Sequence, residues 1–336
     1  MGELGDPSNP NPPAKHLTPI GAGEEAHGRG LVVAIDVGGS KIAAALATRG
    51  GEALGVRRVR TAGEDLDELM AQLADLVEGM VARAPREVDA VSLAIPGSLD
   101  PDNGTVVAAA NLPWRNTPVA EILTRRTGIP TIVGGDGEGA TLAEGYFGAA
   151  KGQRNYVCLV VGTGVGGGIV IDGAVQRGAG RRNPEIGHMI VAPQGPQCRC
   201  GGRGCLEAVA AGPAIVARAR QLGSLAGDGA GVCAAAQGGE AAATRAFTEA
   251  GGYLAMVLVS LWRLFEPSVF VLGGGVATAG EILLGPLRTR MAALAAPRMP
   301  LGDAVRRSLL PAEASYLAAV ALQLQEDART AGRVTT

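Results

Sequence analysis

His188, Cys198, Cys200 and Cys205 stand in the spacing H-x9-C-x-C-x4-C within EIGHMIVAPQGPQCRCGGRGCLE. Nitrogen and sulfur ligands in this number, separated by glycines that let the backbone fold back, suit a closed tetrahedral zinc site. A chance cysteine cluster and a redox pair are the competing readings. Cys198 and Cys200 make a poor disulfide with one residue between them, and a catalytic thiol needs no second and third copy. A site closed by four protein ligands leaves no position for a metal-bound water, so zinc here would pin a loop rather than activate a nucleophile. That loop carries Glu185, three residues before the histidine, and Glu207, two after the last cysteine. Acceptors on a rigid frame suit hydroxyl recognition, although either glutamate taken alone reads as a solvated surface acid.

Three glycine-rich turns offer a second kind of chemistry. A phosphate chain needs backbone N–H groups pointing inward with no side chain in the way. Asp36-Val37-Gly38-Gly39-Ser40-Lys41 lies between two strands. Gly38 and Gly39 can turn the chain, Ser40 can donate to a phosphate, and Asp36 can face a magnesium ion or its waters. A plain hairpin turn is the competing reading. Gly162-Thr163-Gly164-Val165-Gly166-Gly167-Gly168 contains G-x-G-x-x-G, but a strand follows where the dinucleotide fingerprint requires a helix. The third, with Gly273, Gly274 and Gly275, runs from an apolar strand into a helix, which suits a nucleotide at the helix N-terminus. No G-x-x-x-x-G-K-[ST] occurs, which excludes a P-loop kinase at motif level.

Apolar runs bounded by glycine predict the strands that hold these turns, at 31–37, 41–48, 54–60, 89–95, 130–133, 156–162, 166–172 and 268–272. Helical spacing covers 64–84, 117–127, 137–149, 212–222, 240–265, 279–296 and 311–326. Two hairpin-rich starts, VVAIDVGGSKIAAALA and YVCLVVGTGVGGGIVIDGAV, are each followed by helices and point to a duplicated α/β unit with a boundary near 145–155.

At 336 residues the chain has room for about two domains. Hydrophobic residues at 47% against 18% charged argue for a packed core, and no apolar run reaches the roughly 18 residues that cross a bilayer. A formal charge of −2 without runs of like charge gives no footprint for nucleic acid or anionic lipid, which leaves a small molecule as the expected partner. The first 30 residues hold five prolines and six glycines and no apolar signal core, so they read as a disordered arm without an export signal. Five cysteines, an odd number, fit no disulfide framework. His16 and His27 fall in the arm, leaving His188 as the histidine of the folded body.

The motifs DVGGSKI, IPGSLD, NLPW, GGDGEGATLAEG, GTGVGGGIVIDG, EIGHMIV, CRCGGRGCLE and EPSVFVLGGGV, in this order over about 31–327, resemble the ROK family of sugar kinases and sugar-responsive repressors. The resemblance implies the α/β fold of hexokinase and actin, two RNase-H-like domains with nucleotide and sugar in the cleft between them. It divides the chain into 31–147, to which the helix 311–327 returns, and 148–310 with the zinc loop. Asp136 takes the position of the general base that accepts the proton of the sugar's primary hydroxyl; a helix N-cap is its other reading. Glu185, His188 and Glu207 match the sugar contacts, with His188 also a zinc ligand, and Gly97 matches a loop bordering the sugar. Gly38, Gly39, Ser40 and Lys41, then Gly162, Thr163 and Gly164, match the phosphate loops, and Gly273, Gly274 and Gly275 the nucleotide-side turn. The resemblance further implies structural zinc, Mg-ATP, closure over the sugar, a cytoplasmic homodimer or homotetramer, and transfer to the 6-hydroxyl of a hexose or amino-hexose.

The chain departs from the family at Gly135, where the kinases have asparagine before the aspartate. That asparagine is expected to bond the hydroxyls at sugar carbons 3 and 4. Its loss leaves space and predicts a 3-substituted sugar such as 3-amino-3-deoxyglucose (kanosamine), with glucose as the plainer alternative. A second departure is Arg181-Arg182-Asn183-Pro184, where Pro184 stiffens the loop and Asn183 is placed to return polarity. A non-catalytic sugar-sensing regulator is the alternative within the family; such proteins carry an N-terminal helix-turn-helix, for which the 30-residue arm gives no pattern. An actin-like ATPase shares the fold but has no use for Glu185, His188 and Glu207 around zinc.

Overall fold

A computed structural model describes residues 30–62, 65–109, 112–179, 182–295, 299 and 304–332. The arm before Gly30 with His16 and His27, Asn111 of NLPW, and Arg181 lie outside the described residues.

The chain begins with β1 (Leu31–Val37), β2 (Lys41–Thr48) and β3 (Ala53–Arg60), then α1 (Leu66–Val81) and β4 (Val88–Ile95). Short strands β5 (Ser98–Asp100), β6 (Thr105–Ala108) and β7 (Arg115–Thr117) precede α2 (Val119–Thr127), β8 (Thr131–Gly135) and α3 (Asp136–Tyr146). A second series opens with β9 (Tyr156–Val161), β10 (Val165–Ile171) and β11 (Ala174–Val175). Helices α4 (Leu206–Ala210), α5 (Gly212–Gln221), α6 (Gly229–Gln237) and α7 (Ala241–Phe265) follow. The series ends with β12 (Val269–Gly273), α8 (Glu281–Leu294), β13 (Val305–Arg307) and α9 (Leu317–Thr330).

The two five-stranded sheets have the orders β3-β2-β1-β4-β8 and β11-β10-β9-β12-β13. In each, an antiparallel meander supplies three strands and two parallel strands extend the other side. The unit is therefore duplicated in topology, although the two halves match only weakly in sequence. The central strands β1, β9 and β12 are apolar runs because both faces are covered, so a period of two has no solvent side to mark. One face of the first sheet packs on α1 and α2, and the other on α3 and α9. Helix α7 presents Ala243, Ala246, Phe247, Ala250, Leu254, Val257, Leu258 and Leu261 to the core of the second sheet at helical spacing.

Helix α3 touches both sheets: β8 and β4 of the first, β9 and β10 of the second, and α9 beside them. It can do so because its contact positions are glycines. A β-carbon at Gly137 would lie 3.0 Å from Gly167 N, one at Gly139 2.8 Å from Ala318 O, and one at Gly145 2.2 Å from the Tyr156 hydroxyl. Each glycine costs the helix about 1 kcal/mol relative to alanine, while forced overpacking costs about 1–3 kcal/mol, so close approach wins. At the far end of the first sheet, Arg49 joins Asp89 (2.8 Å) and Asp327 of α9 (2.6 Å), which ties the C-terminal helix to that sheet.

Two expectations need correction. The Gly273–Gly275 turn enters a 3-10 turn, Gly275–Ala279, before α8 begins at Glu281, because Gly274 and Gly280 hold positive φ values of 84° and 59° that break the helix. The predicted helix at 311–326 starts at Leu317 after a 3-10 turn at Ala312–Ala314.

Candidate active site

Asp136 is the first residue of α3, and Gly135, at the end of β8, holds the N-cap position. The carboxylate nevertheless serves the helix end, since Oδ1 accepts the Gly137 N–H at 2.7 Å. Its accessible side is open to solvent while protein surrounds it on the others. Burial raises its pKa above the usual carboxylate range, and the Gly137 N–H only partly offsets this. Asp36, near the end of β1, is also raised, first by burial and then by the charge of Asp136, while a hydrogen bond from Ser315 lowers it. The charge of Asp136, just beyond the end of β8, is thus felt at Asp36 near the end of β1, with β4 between the two strands.

Around the Gly38–Lys41 turn, Gly38 N–H donates to Lys41 O (2.9 Å), and Thr61 Oγ1 donates to Gly38 O (2.6 Å). Gly39, Ser40 and Lys41 are exposed. On the second sheet, Gly162 N–H closes on Gly164 O at 2.8 Å, and Thr163 is exposed at the tip. The Gly273–Gly275 turn lies against the same hairpin: a β-carbon at Gly274 would sit 2.4 Å from Val161 O. Gly212, at the start of α5, donates to Gly162 O at 2.8 Å. No described hydrogen bond joins the Gly38–Lys41 turn to the Gly162–Gly164 turn; their link runs through Asp36, Asp136 and α3.

The four metal-ligand candidates converge. Their ligand atoms all lie within 4.8 Å of one another. Cys200 Sγ and Cys205 Sγ are 3.6 Å apart, and Cys198 Sγ and His188 Nδ1 3.7 Å. A tetrahedral ion with Zn–S bonds near 2.3 Å separates its sulfurs by about 3.8 Å, so the cluster fits such an ion. No disulfide joins any of the five cysteines. Gly202 N–H points at Cys200 Sγ (3.4 Å) and is the first cause that lowers that thiol's pKa. The loop needs its glycines: Gly204, at φ 70°, has no room for a β-carbon beside Ala192 O.

This loop and α3 meet the same strand, β10. Glu207 Oε2 accepts the Val165 N–H at 3.0 Å. Gly187, beside His188, packs on Val165 O, where a β-carbon would come within 2.0 Å. Two residues along β10, Gly167 meets Gly137 of α3. Asn183 lies directly against Gly135, its Nδ2 3.1 Å from where a β-carbon would stand. Glu185 is exposed and caps the 3-10 turn Ile186–His188. Gly97, at φ 121°, could take no side chain against Ala108 O, and Leu99 just beyond it borders Gly135. A surface cavity of about 510 Å³ lined by Arg49, Asp89, Gln323 and Asp327 lies at the opposite end of the first sheet, away from this constellation.

Sequence reading missed Ser315, Thr61 and Gly212, which hold the site from outside its motifs. Only Gly212 carries a local signal, in the Gly-Pro pair that opens α5.

A model of the ROK family matches residues 32–326. The chain belongs to the ROK family. Among ROK proteins it is 34% identical over 276 residues to a glucokinase of Streptomyces coelicolor, a match spanning 77% of this chain and 86% of that one. It shares the hexokinase-type α/β fold of a ROK glucokinase from Streptomyces griseus solved with glucose and AMPPNP, at a TM-score of 0.76 and 32% identity, covering 88% of this chain and all of that one. A ROK transcriptional regulator, a homologue of the Escherichia coli Mlc protein, superposes at a TM-score of 0.80 with 26% identity, covering 90% of this chain and 80% of that one.

Proposed function

We propose that this ROK protein transfers the terminal phosphate of ATP to the 6-hydroxyl of a hexose, with an amino-hexose such as 3-amino-3-deoxyglucose as its preferred acceptor. What supports the reading is that α3, which Asp136 opens, packs through Gly137 on Gly167 of β10, while Gly187 and Glu207, flanking the four candidate metal ligands, meet Val165 of the same strand. In this reading the lobes divide near residue 147, α9 belongs to the first, and the site lies in the cleft between them.

Asp136 accepts the proton of the primary hydroxyl as that oxygen bonds to the γ-phosphorus. The bond from phosphorus to the bridging oxygen breaks, and ADP leaves. A raised pKa suits the role, since a stronger base takes a proton more readily provided it is itself ionised at working pH. The turns Gly38–Lys41, Gly162–Gly164 and Gly273–Gly275 present backbone N–H groups and open space to the nucleotide phosphates, and Asp36 would hold the accompanying magnesium or its waters. Magnesium bound with ATP supplies charge neutralisation. His188, Cys198, Cys200 and Cys205 would hold zinc, which supplies a structural cross-link. Glu185, His188 and Glu207 then meet the sugar hydroxyls from a fixed frame, and Gly97 closes the other side. Phosphoryl transfer needs mainly positioning and charge balance, which these parts provide.

A coupled kinase assay over glucose, mannose, their N-acetyl derivatives and 3-amino-3-deoxyglucose tests the proposal. Transfer to a hexose, with the highest kcat/KM for the amino-hexose, is expected. The superposition on a regulator supports one rival, a sugar sensor without catalysis. Sugar binding with no phosphate transfer to any acceptor would favour that rival.

A further inference from the structure

The hairpin tip between β9 and β10, Gly162-Thr163-Gly164, is held at both ends from outside the sheet. On the β9 side, Gly162 O accepts the N–H of Gly212, the first residue of α5, at 2.8 Å. On the β10 side, Val165 N–H donates to Glu207 Oε2 at 3.0 Å. Glu207 belongs to α4, and Ala211, between α4 and α5, donates its N–H to Glu207 O at 3.1 Å. One helical corner therefore grips both ends of the tip. Among the described residues no hydrogen bond uses the N–H of Thr163 or of Gly164, which leaves these two donors for an anion.

Of the two holds, the one from Glu207 is the stronger, because a hydrogen bond to a carboxylate is about twice as strong as one between neutral groups. The fit around it is close. A β-carbon on Gly164 would stand 2.5 Å from Oε2, so glycine is kept where the carboxylate lies. The other oxygen, Oε1, enters no hydrogen bond with any described residue. Helix α4 is in turn seated on the candidate metal-ligand loop: Cys205 precedes it, and Leu206 N–H donates to Met189 O, beside His188, at 2.9 Å.

We propose that Glu207 is a positioning residue for the phosphate donor: through Oε2 it holds the Gly162–Gly164 turn in the shape that receives the ATP phosphates, while Oε1 is left for a sugar hydroxyl. This rests on the sugar-kinase reading and adds a donor-side role to a residue otherwise assigned to the acceptor alone. One carboxylate then sets the turn for one substrate and meets the other, so a displaced Glu207 is felt by the nucleotide even when no sugar is bound.

Calorimetry with magnesium and the non-hydrolysable ATP analogue AMPPNP, in the absence of sugar, tests this on the wild type, Glu207→Gln and Glu207→Asp. Reach rather than charge is decisive. The glutamine oxygen can still accept the Val165 N–H, so Glu207→Gln should bind the analogue within about twofold of the wild type. The aspartate is one methylene shorter and keeps the charge but not the bond, so Glu207→Asp should bind about tenfold more weakly. Wild-type affinity in Glu207→Asp, or a loss in Glu207→Gln as large as in Glu207→Asp, would overturn the role, as would a wild type that binds no analogue. A phosphate-transfer assay on the same wild type keeps the two readings apart. Analogue binding without transfer to any sugar removes the kinase reading, and the order of the variants still decides the role of Glu207.

Discussion

A general base must be ionised to act, yet the protein around Asp136 disfavours its charge and raises its pKa. Activity should therefore fall on the acid side of the profile, with an apparent pKa of kcat/KM above the roughly 3.9 of a free aspartate. The linkage to stability has the opposite sign. Between the unfolded and the raised folded value the folded state holds the proton, so the contribution of Asp136 is greatest below the unfolded value and is lost as pH rises through the folded one. Asp36 runs the same way. A pH–rate profile placing the acid limb at or below the free-aspartate value would contradict the environment described for Asp136. At this scale the motifs pointed to Asp136, Glu185 and Glu207 as site candidates and to His188, Cys198, Cys200 and Cys205 as candidate metal ligands, and the fold gathers the ligand atoms of those four within 4.8 Å of one another. Ser315 on Asp36 and Asn183 against Gly135 join residues distant in sequence, and no spacing rule connects them.

The elements that carry the site depend on backbone approaches that only glycine permits. Gly274→Ala would place a β-carbon 2.4 Å from Val161 O at a φ of 84°, so the turn must move. The expected outcome is a loss of about 1–3 kcal/mol of stability and a higher KM for ATP than for sugar, measured by denaturant unfolding and kinetics. An unaffected KM for ATP would remove this turn from the nucleotide site. The candidate metal-ligand loop makes a separate prediction. Treatment with a strong chelator should lower the Tm and raise the sugar KM, and zinc should restore both. Loss of activity without any change in Tm would argue against a structural ion. Most of the longer strands and helices were readable within a few residues from periodicity, but α6, in a glycine- and alanine-rich stretch without a clear apolar stripe, was not. Strands β5, β6, β7, β11 and β13, of two to four residues, were not, since so short a run cannot establish a period. Helix α3 was readable as a helix, but its glycines gave no hint that they seat it against both sheets.

For the molecule as a whole, duplication of a five-stranded unit and the helix α3 shared between the two sheets bring the helix that Asp136 opens against β10, the strand on which the candidate metal-ligand loop also packs. Sequence showed the two hairpin starts, whereas the matching strand orders became visible only through pairing between distant strands. The most direct test compares phosphate transfer and sugar binding in the wild type and Asp136→Asn. The asparagine oxygen can still accept the Gly137 N–H and no charge is left to desolvate, so the fold should be kept. The account predicts a kcat lower by about 10²–10⁴-fold with sugar affinity retained. A variant that transfers phosphate at close to the wild-type rate would contradict it.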